Sequence, residues 1–426
     1  MTRIKVVVTG MGAVTAMGLG WRTLWHGLTS GRSAIRPWQP EGLNDFPVRY
    51  AAPVDWPAFE AACSQRDWWP QAMEKRSRFG MAAADEAWAD AGLTTNPWPS
   101  GRVGVAIGSG VPDRDPADLL LAMTDEGPDW QRLYQQLAAL NPNSGLLNSN
   151  DQLAALIARH YGLDGPVLNF STACAGAAHA IGHGFRMIRR GEVDAMLVGG
   201  ADSVLNLPTM VGLLLLGAPS IADQHGASLC RPFDRGRSGF VAAEGGAMLL
   251  LESEASARAR GATIYAEIGG FGSALDAYRI TAPHPEGKGA ALAMSRALAD
   301  ARLAADCIGH INAHGTSTPL NDPAETLAIK EVFGRGDHHR QLAVSANKSM
   351  LGHLIAAAGA PECIATVLAV QQGLVPPTLN LQEADDACDL DYVAGNRARP
   401  MALQAAMCNS FGFGGLNAAI VVKAHA

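Results

Sequence analysis

Residues 169–191 read NFSTACAGAAHAIGHGFRMIRRG, and they set a single thiol, Cys174, where an extended apolar segment gives way to alanine, glycine and histidine. The preceding PVLNFST (166–172) has the β-branched, turn-bounded look of a strand. Beyond the cysteine, Ala178, Ile181, Phe185 and Ile188 share one helical stripe. Cys174 therefore falls at a strand-to-helix junction. There, unpaired amides and the helix dipole favour a thiolate.

The same alternation runs along the chain. Strands are expected at 5–10, 102–110, 166–172, 194–202, 244–252, 264–272, 309–315, 342–348, 390–395 and 405–423. Helices are expected at 75–92, 174–190, 287–303, 322–333 and 354–372. Short apolar strands between helices imply an α/β protein whose sheets are covered on both faces. GHLIAAAGAPECIATVLAVQQG (352–373) echoes the Cys174 segment, which hints at duplication. The charged ESEASARARGA (252–262) reads as a surface helix linking two halves, 1–255 and 260–426.

A chain of 426 residues, 48% hydrophobic and 17% charged, can bury two ordinary cores or one large one. Its net charge of −7 argues against nucleic acid as a partner. Seven scattered cysteines without a CxxC pair suit free thiols in a reducing compartment, so a cytoplasmic location is expected. The apolar run around MVGLLLLGAP is too short to span a membrane, so no membrane association is expected. The opening MTRIKVVVTGMGAVTAMG mimics a secretion signal but reads better as a buried strand ending in a glycine turn. Nor does it suit a dinucleotide turn, because Thr15 stands where the third glycine is needed and the first acid is Glu41.

Two histidines join the cysteine. INAHGTSTPLND sets His314 at the end of a strand, and SANKSMLGHLIAAAG sets His353 at the start of a small-residue helix, with Lys348 five residues earlier. All lie at the same junction type as Cys174. Neither histidine has a partner at ligand spacing, so no metal is expected. A fourth element, CNSFGFGGLNA (408–418), offers backbone amides to an oxyanion and aromatic rings that can gate a pocket.

Together TACAGAAHAI, NAHGTSTPLND, NKSMLGHLIAAAG and NSFGFGG resemble the β-ketoacyl-ACP synthases, closest to the synthase II type. RPFDRGRSGFVAAEGGAMLLLE (231–252) and the opening strand are similar to the same family. The resemblance implies a thiolase-like fold, two similar α/β halves in a five-layer αβαβα arrangement, usually as a homodimer. It implies decarboxylative Claisen condensation between a cysteine-bound acyl chain and malonyl-ACP. Cys174 would be the nucleophile, and the amides of Cys174 and Phe413, in a loop with Phe411, Gly412 and Gly414, the oxyanion hole. His314 and His353 would bind the malonyl thioester carbonyl and stabilise the enolate. Lys348 would keep this region electropositive with Glu362 as its ionic partner, and Asp322 would support the site. Thr316 and Thr318 would hold the phosphopantetheine arm, and GFGSALDAY (270–278) would be a second mobile loop. No cofactor is implied beyond that arm on the acyl carrier protein. The carrier would dock on Lys75, Arg76 and Arg78.

Departures from the family pattern lie in GSGVPDRDP (108–116), in the divergent region 111–150, at Ser77, and at Leu416 in GFGGLN. Val111, near the expected acyl pocket, is small and gives no sign of a blocked pocket. These departures leave fatty acid synthesis and a specialised polyketide or polyene pathway both open. Two other classes fit less well. A chain-length-factor-like subunit would lack the nucleophile, although this chain could pair with one. A coenzyme A thiolase would replace His353 by cysteine.

Overall fold

The computed structural model describes residues 3–110, 120–136, 139–140, 149–334 and 342–425. Val111 and nearly half of the divergent 111–150 region lie outside them. Among the described residues the principal sheet has eleven strands, the short Gly18–Leu19 paired only with the first and the other ten in one path: β1 (Val6–Thr15), β2 (Val103–Gly108), β3 (Val167–Phe170), β4 (Ala195–Ser203), β5 (Glu244–Ser253), β6 (Ala266–Leu275), β7 (Ile308–Asn312), β8 (Ala343–Ser345), β9 (Ala405–Gly412) and β10 (Leu416–Lys423). Their helices are α1 (Lys75–Asp90), α2 (Gln152–Tyr161), α3 (Gly176–Arg189), α4 (Lys288–Ala301), α5 (Asn321–Phe333) and α6 (Gly359–Gln372).

The duplication hinted at by the small-residue helices is complete in the topology. The strand order is β8-β7-β9-β10-β6-β1-β5-β4-β2-β3, so each half reads outward from the centre in the same way. In each half the two outer pairings are parallel and the inner ones antiparallel. The halves meet where Val6 of β1 opposes Ile268 of β6. Helices α3 and α6 lie in the middle layer, packed on each other and against strands of both halves, while α1 and α4 cover the outer faces. That is the five-layer αβαβα stack.

Close backbone packing explains the glycines that looked like a nucleotide turn. Gly10 and Gly12 sit inside β1, where an added Cβ would lie 2.1 Å from the Ala87 carbonyl oxygen and 2.0 Å from that of Ala83. Gly270 and Gly272 of β6 meet α4 in the same way, at 2.5 Å from Ala297 O and 2.0 Å from Ala293 O. The glycines are there so that a helix can press on its strand, and not to cradle a phosphate.

Three expectations need correction. Residues 390–395 form no strand and only touch neighbours through single bridges at Asp391 and Ala394. The run 405–423 is a hairpin of two antiparallel strands folded back at Phe413–Gly415. Much of GFGSALDAY belongs to β6, and the irregular segment begins only at Asp276. The link between halves is short: β5 ends at Ser253, whose hydroxyl caps the helix Glu254–Ala259. No helix among the described residues is long and apolar enough to cross a membrane.

Candidate active site

Cys174 lies in a tight turn, Ala173–Ala175, just before α3, rather than in the helix itself. Ala173 has φ +46°, a strained value for a residue with a side chain. The turn can approach β2 because Gly108 has no Cβ; one would lie 2.1 Å from Ala177 N. The sulfur is thus held at a sharp elbow with its side chain 6% exposed.

The remaining groups converge from the other half. His314 follows β7, and its amide and that of Gly315 donate to the two carboxylate oxygens of Glu325 at 2.9 Å each. Asn409 Nδ2 donates to Glu325 Oε1 at 3.2 Å, which ties the His314 turn to β9. His353 is stitched to the N-terminal half by two backbone bonds: its amide donates to Val241 O at 2.7 Å, and the Ala243 amide donates to His353 O at 3.0 Å. The reactive side-chain atoms of Cys174, His314 and His353 all lie within 4.8 Å of one another. They close the inner end of a cavity of about 240 Å³ that Thr316, Thr318, Phe411 and Phe413 also line.

Hydrogen bonds fix both tautomers. The Ile355 amide donates to His353 Nδ1 at 3.2 Å, so Nδ1 accepts and the proton sits on Nε2. Lys348 Nζ, which can only donate, lies 3.3 Å from His314 Nδ1 and leaves that proton on Nε2 as well. Burial, reinforced by the Lys348 charge, holds both imidazoles well below their ordinary pKa, so both are neutral donors. Lys348 is itself 1% exposed and bonds Glu362 Oε1 at 2.6 Å. Burial pushes the Glu362 carboxyl up to about 7 despite that ammonium.

The thiolate expected from the helix terminus is the main correction at the site. Burial raises Cys174 to about 11, outweighing the Lys348 charge and the Phe413 amide that pull it down. At rest Cys174 is a thiol. Alkylation of Cys174 by iodoacetamide is therefore expected to climb steadily with pH through 8 and 9. At pH 8 only about one site in 10³ would be ionised. A plateau below pH 8 would show a thiolate stabilised beyond what this geometry provides.

Phe411, Gly412 and Phe413 of the loop line the same cavity as Cys174. Gly412 packs on the elbow, where a Cβ would lie 3.1 Å from Cys174 N, and Gly414 has φ +82°. Phe411 stands 5.8 Å from the His314 ring. The Asp276 amide donates to Gly415 O at 2.9 Å, and the Gly414 amide donates to Ile280 O, so the segment after β6 leans on the Phe413 loop. Thr316 and Thr318 share a 3.0 Å bond between hydroxyls. Asp322, fully buried, accepts from the amides of Phe233 and Thr316 and braces the loop carrying both threonines.

The basic patch is only partly as expected. Arg76 is 1% exposed and points inward to Glu74, with Nη1 also 3.2 Å from Asn150 Oδ1. It cannot meet a carrier protein, because burying a guanidinium is tolerable only with such partners. Lys75 and Arg78 stay partly exposed over Trp56 and Trp69, Arg78 at 4.0 Å from the Trp69 ring. Glu325 and Asp202, both buried and bonded to site backbone, went unnoticed in the sequence. An acid four residues into the helix after His314, and one ending a glycine-rich strand, were the available signals.

Two family models match most of the chain: the N-terminal domain of beta-ketoacyl synthase matches residues 4–257 and the C-terminal domain residues 265–382. This chain belongs to the β-ketoacyl synthase family. Similar relatives include the 3-oxoacyl-[acyl-carrier-protein] synthase 2 of Coxiella burnetii, 38% identical with 99% of each chain covered, and that of Vibrio harveyi, also 38% identical over 99% of each. Among solved structures, a type II PKS acyl-carrier protein complex with its ketosynthase bound to the hexaketide aligns over 100% of both chains at TM-score 0.88 and 31% identity. A beta-ketoacyl synthase from Burkholderia phymatum aligns at 0.87 and 35% over 99% and 100%. The ishigamide ketosynthase/chain length factor aligns at 0.84 and 33% over 100% of each. The chain is thus a ketosynthase, an acyltransferase with the thiolase-type fold.

Proposed function

We propose that this ketosynthase condenses an acyl chain held on Cys174 with a malonyl group on acyl carrier protein, losing CO₂. The observation that carries the assignment of roles is the convergence of one thiol and two Nε2–H imidazoles at the end of a narrow cavity. Residues 1–255 supply the nucleophile and residues 260–426 the histidines and the Phe413 loop. Neither half holds the site alone.

In the first step the Cys174 sulfur attacks the acyl thioester. The carbonyl oxygen, as it becomes negative, receives the amides of Cys174 and Phe413. The Cys174–acyl bond forms as the acyl–pantetheine bond breaks, and the thiol proton ends on the departing pantetheine sulfur. Because both histidines carry their proton on Nε2, neither acts as base there. In the second step they donate to the malonyl thioester oxygen. The C–CO₂ bond breaks, its electron pair enters the enolate, and both Nε2–H groups hold the oxyanion. The enolate carbon then attacks the Cys174 ester, and the sulfur leaves as a thiolate that takes up one proton from solvent, the proton the overall condensation consumes. Lys348 keeps both imidazoles neutral and oriented without touching substrate.

Thr316 and Thr318 hold the pantetheine arm along the cavity wall. The mouth is edged by Leu216 and Leu320, 48% and 60% exposed, with Leu215 and Ile280 at 85% and 80% beside their segments. An apolar rim of this kind suits a docked carrier protein that dries the arm, with Lys75 and Arg78 as the basic contacts. Strand β3 ends the sheet among the described residues, which favours pairing with a second synthase-type subunit, either the same chain or a chain-length-factor-like partner. Fatty acid synthesis and a specialised polyketide or polyene pathway both accommodate this chemistry.

The test is intact mass of the protein after exposure to a panel of acyl carrier thioesters, followed by malonyl carrier. One acyl group should add per chain and then leave as a two-carbon-longer β-keto product on the carrier. A protein that acquires no acyl group from any carrier would instead be a non-catalytic partner subunit.

A further inference from the structure

The duplicated fold builds the nucleophile elbow twice. In the N-terminal half, Ala173 with φ +46° leads into the tight turn Ala173–Ala175 and then α3. In the C-terminal half, Ile355 with φ +49° leads into Ile355–Ala357 and then α6. Ala356 thus occupies in one half the position Cys174 occupies in the other. A positive φ is unusual for any side chain and more so for a β-branched one, so something must hold the second turn in place.

That something is Asp202, at the end of β4. It is 0% exposed. One carboxylate oxygen accepts the Ala356 amide at 3.1 Å, and the other accepts the Ser203 amide at 3.1 Å. Its place is tightly walled: a Cβ on Gly110 would lie 2.5 Å from Asp202 Oδ2 and 3.4 Å from Ala356 Cβ. The same turn positions the catalytic imidazole, because the Ile355 amide is the donor that fixes the His353 tautomer. Asp202 belongs to the N-terminal half, while Ala356 and His353 belong to the C-terminal half. The carboxylate therefore joins the half that carries the cysteine to the turn that orients the histidine. Backbone bonds from 241 and 243 hold His353 itself, but the Ala356 amide reaches this side chain.

We propose that Asp202 is a positioning residue for decarboxylation, holding the Ile355–Ala357 turn so that His353 presents Nε2–H to the malonyl thioester. Asp202 does not touch substrate. A carboxylate is suited to this place because it can accept from two amides at once at a strained turn, and an amide side chain keeps one such acceptor.

The inference rests on the role proposed for His353, so its test includes a readout that does not depend on turnover. In wild type, ¹⁵N spectra of the histidines should show His353 as a single Nε2–H tautomer. Asp202→Ala should give a tautomer mixture and slow CO₂ release from malonyl carrier on the order of 10–100-fold, while acylation of Cys174 stays within about threefold. Asp202→Asn, which retains the acceptor for Ala356, should restore both the spectrum and the decarboxylation rate. Should Asp202→Ala fail to fold, Asp202→Glu, whose longer arm would push the turn away, carries the same expectation of slowed CO₂ release. An unchanged His353 spectrum with unchanged decarboxylation in Asp202→Ala or Asp202→Glu overturns the proposal. So does an equal fall in acylation and decarboxylation, which would mark Asp202 as general scaffolding. A wild type that releases no CO₂ would count against the proposed reaction, while the spectra would still decide what Asp202 does.

Discussion

Replacing Cys174 by alanine is expected to abolish acyl transfer while sparing CO₂ release. No mass increment should appear with any acyl carrier thioester, and condensation should fall at least about 10³-fold. The reason is chemical: in the proposed reaction the sulfur alone forms the acyl–enzyme bond, and among the described residues no other cysteine lines the cavity. In the proposed mechanism, cleavage of the malonyl C–CO₂ bond needs only the two imidazole donors and the positive field of Lys348, and these are untouched. Folding should survive, because the change removes one small buried atom from a turn whose backbone is already set, at a cost of about 1 kcal/mol. Persistent acylation of Cys174→Ala would move the nucleophile elsewhere, and loss of decarboxylation would mean that the sulfur helps to bind malonyl.

The second large effect is expected at Lys348. Its ammonium lies between His314 and Glu362, with 1% of the residue exposed. Lys348→Ala removes the partner of a buried carboxyl, and breaking such a pair costs about 3–5 kcal/mol. For a chain of this size the melting temperature should fall by about 3–6 °C. The sign with pH follows from the direction of the shift. Glu362 sits above its unfolded value already, at about 7, and loses the charge that was pulling it down. Its protonated form therefore dominates at pH 6, and the cost of holding the ionised form buried grows as pH rises. The variant should be closest to wild type in stability at pH 6 and furthest from it near pH 9. Adding Glu362→Gln should recover most of the stability but not the activity, since His314 would still lack the donor that fixes its tautomer. Thermal melts across pH for the single and double variants check both points. A melting temperature of Lys348→Ala that does not depend on pH would refute the account.

How much of this was legible in the sequence differs by residue. Cys174, His314, Lys348 and His353 stand out because each is a polar group at the seam between an apolar strand and a small-residue helix, and such seams are local in sequence. Glu362 follows from its place on the helix after His353. Asp202 and Glu325 do not stand out, because their partners are backbone amides of distant turns, 154 and 11 residues away. Arg76 misled for the same reason: a basic cluster reads as surface until Glu74 and Asn150 are seen to enclose it. The run 390–395 has strand composition, yet nothing in the sequence could say that no ladder is available to it.

Local pattern, by itself, determined the class of fold, the repeated strand–helix order and which polar groups stand at the strand–helix seams, since periodicity and glycine placement act over a few residues. Only the folded chain decided the ionisation of the sulfur. A helix terminus is a local feature and argues for a thiolate. Dehydration is collective, produced by everything that packs around Cys174, and here it outweighs both the turn's amides and the Lys348 charge. Only the folded chain, too, laid one half against the other, so that imidazoles and thiol separated by 140 residues or more share a single cavity.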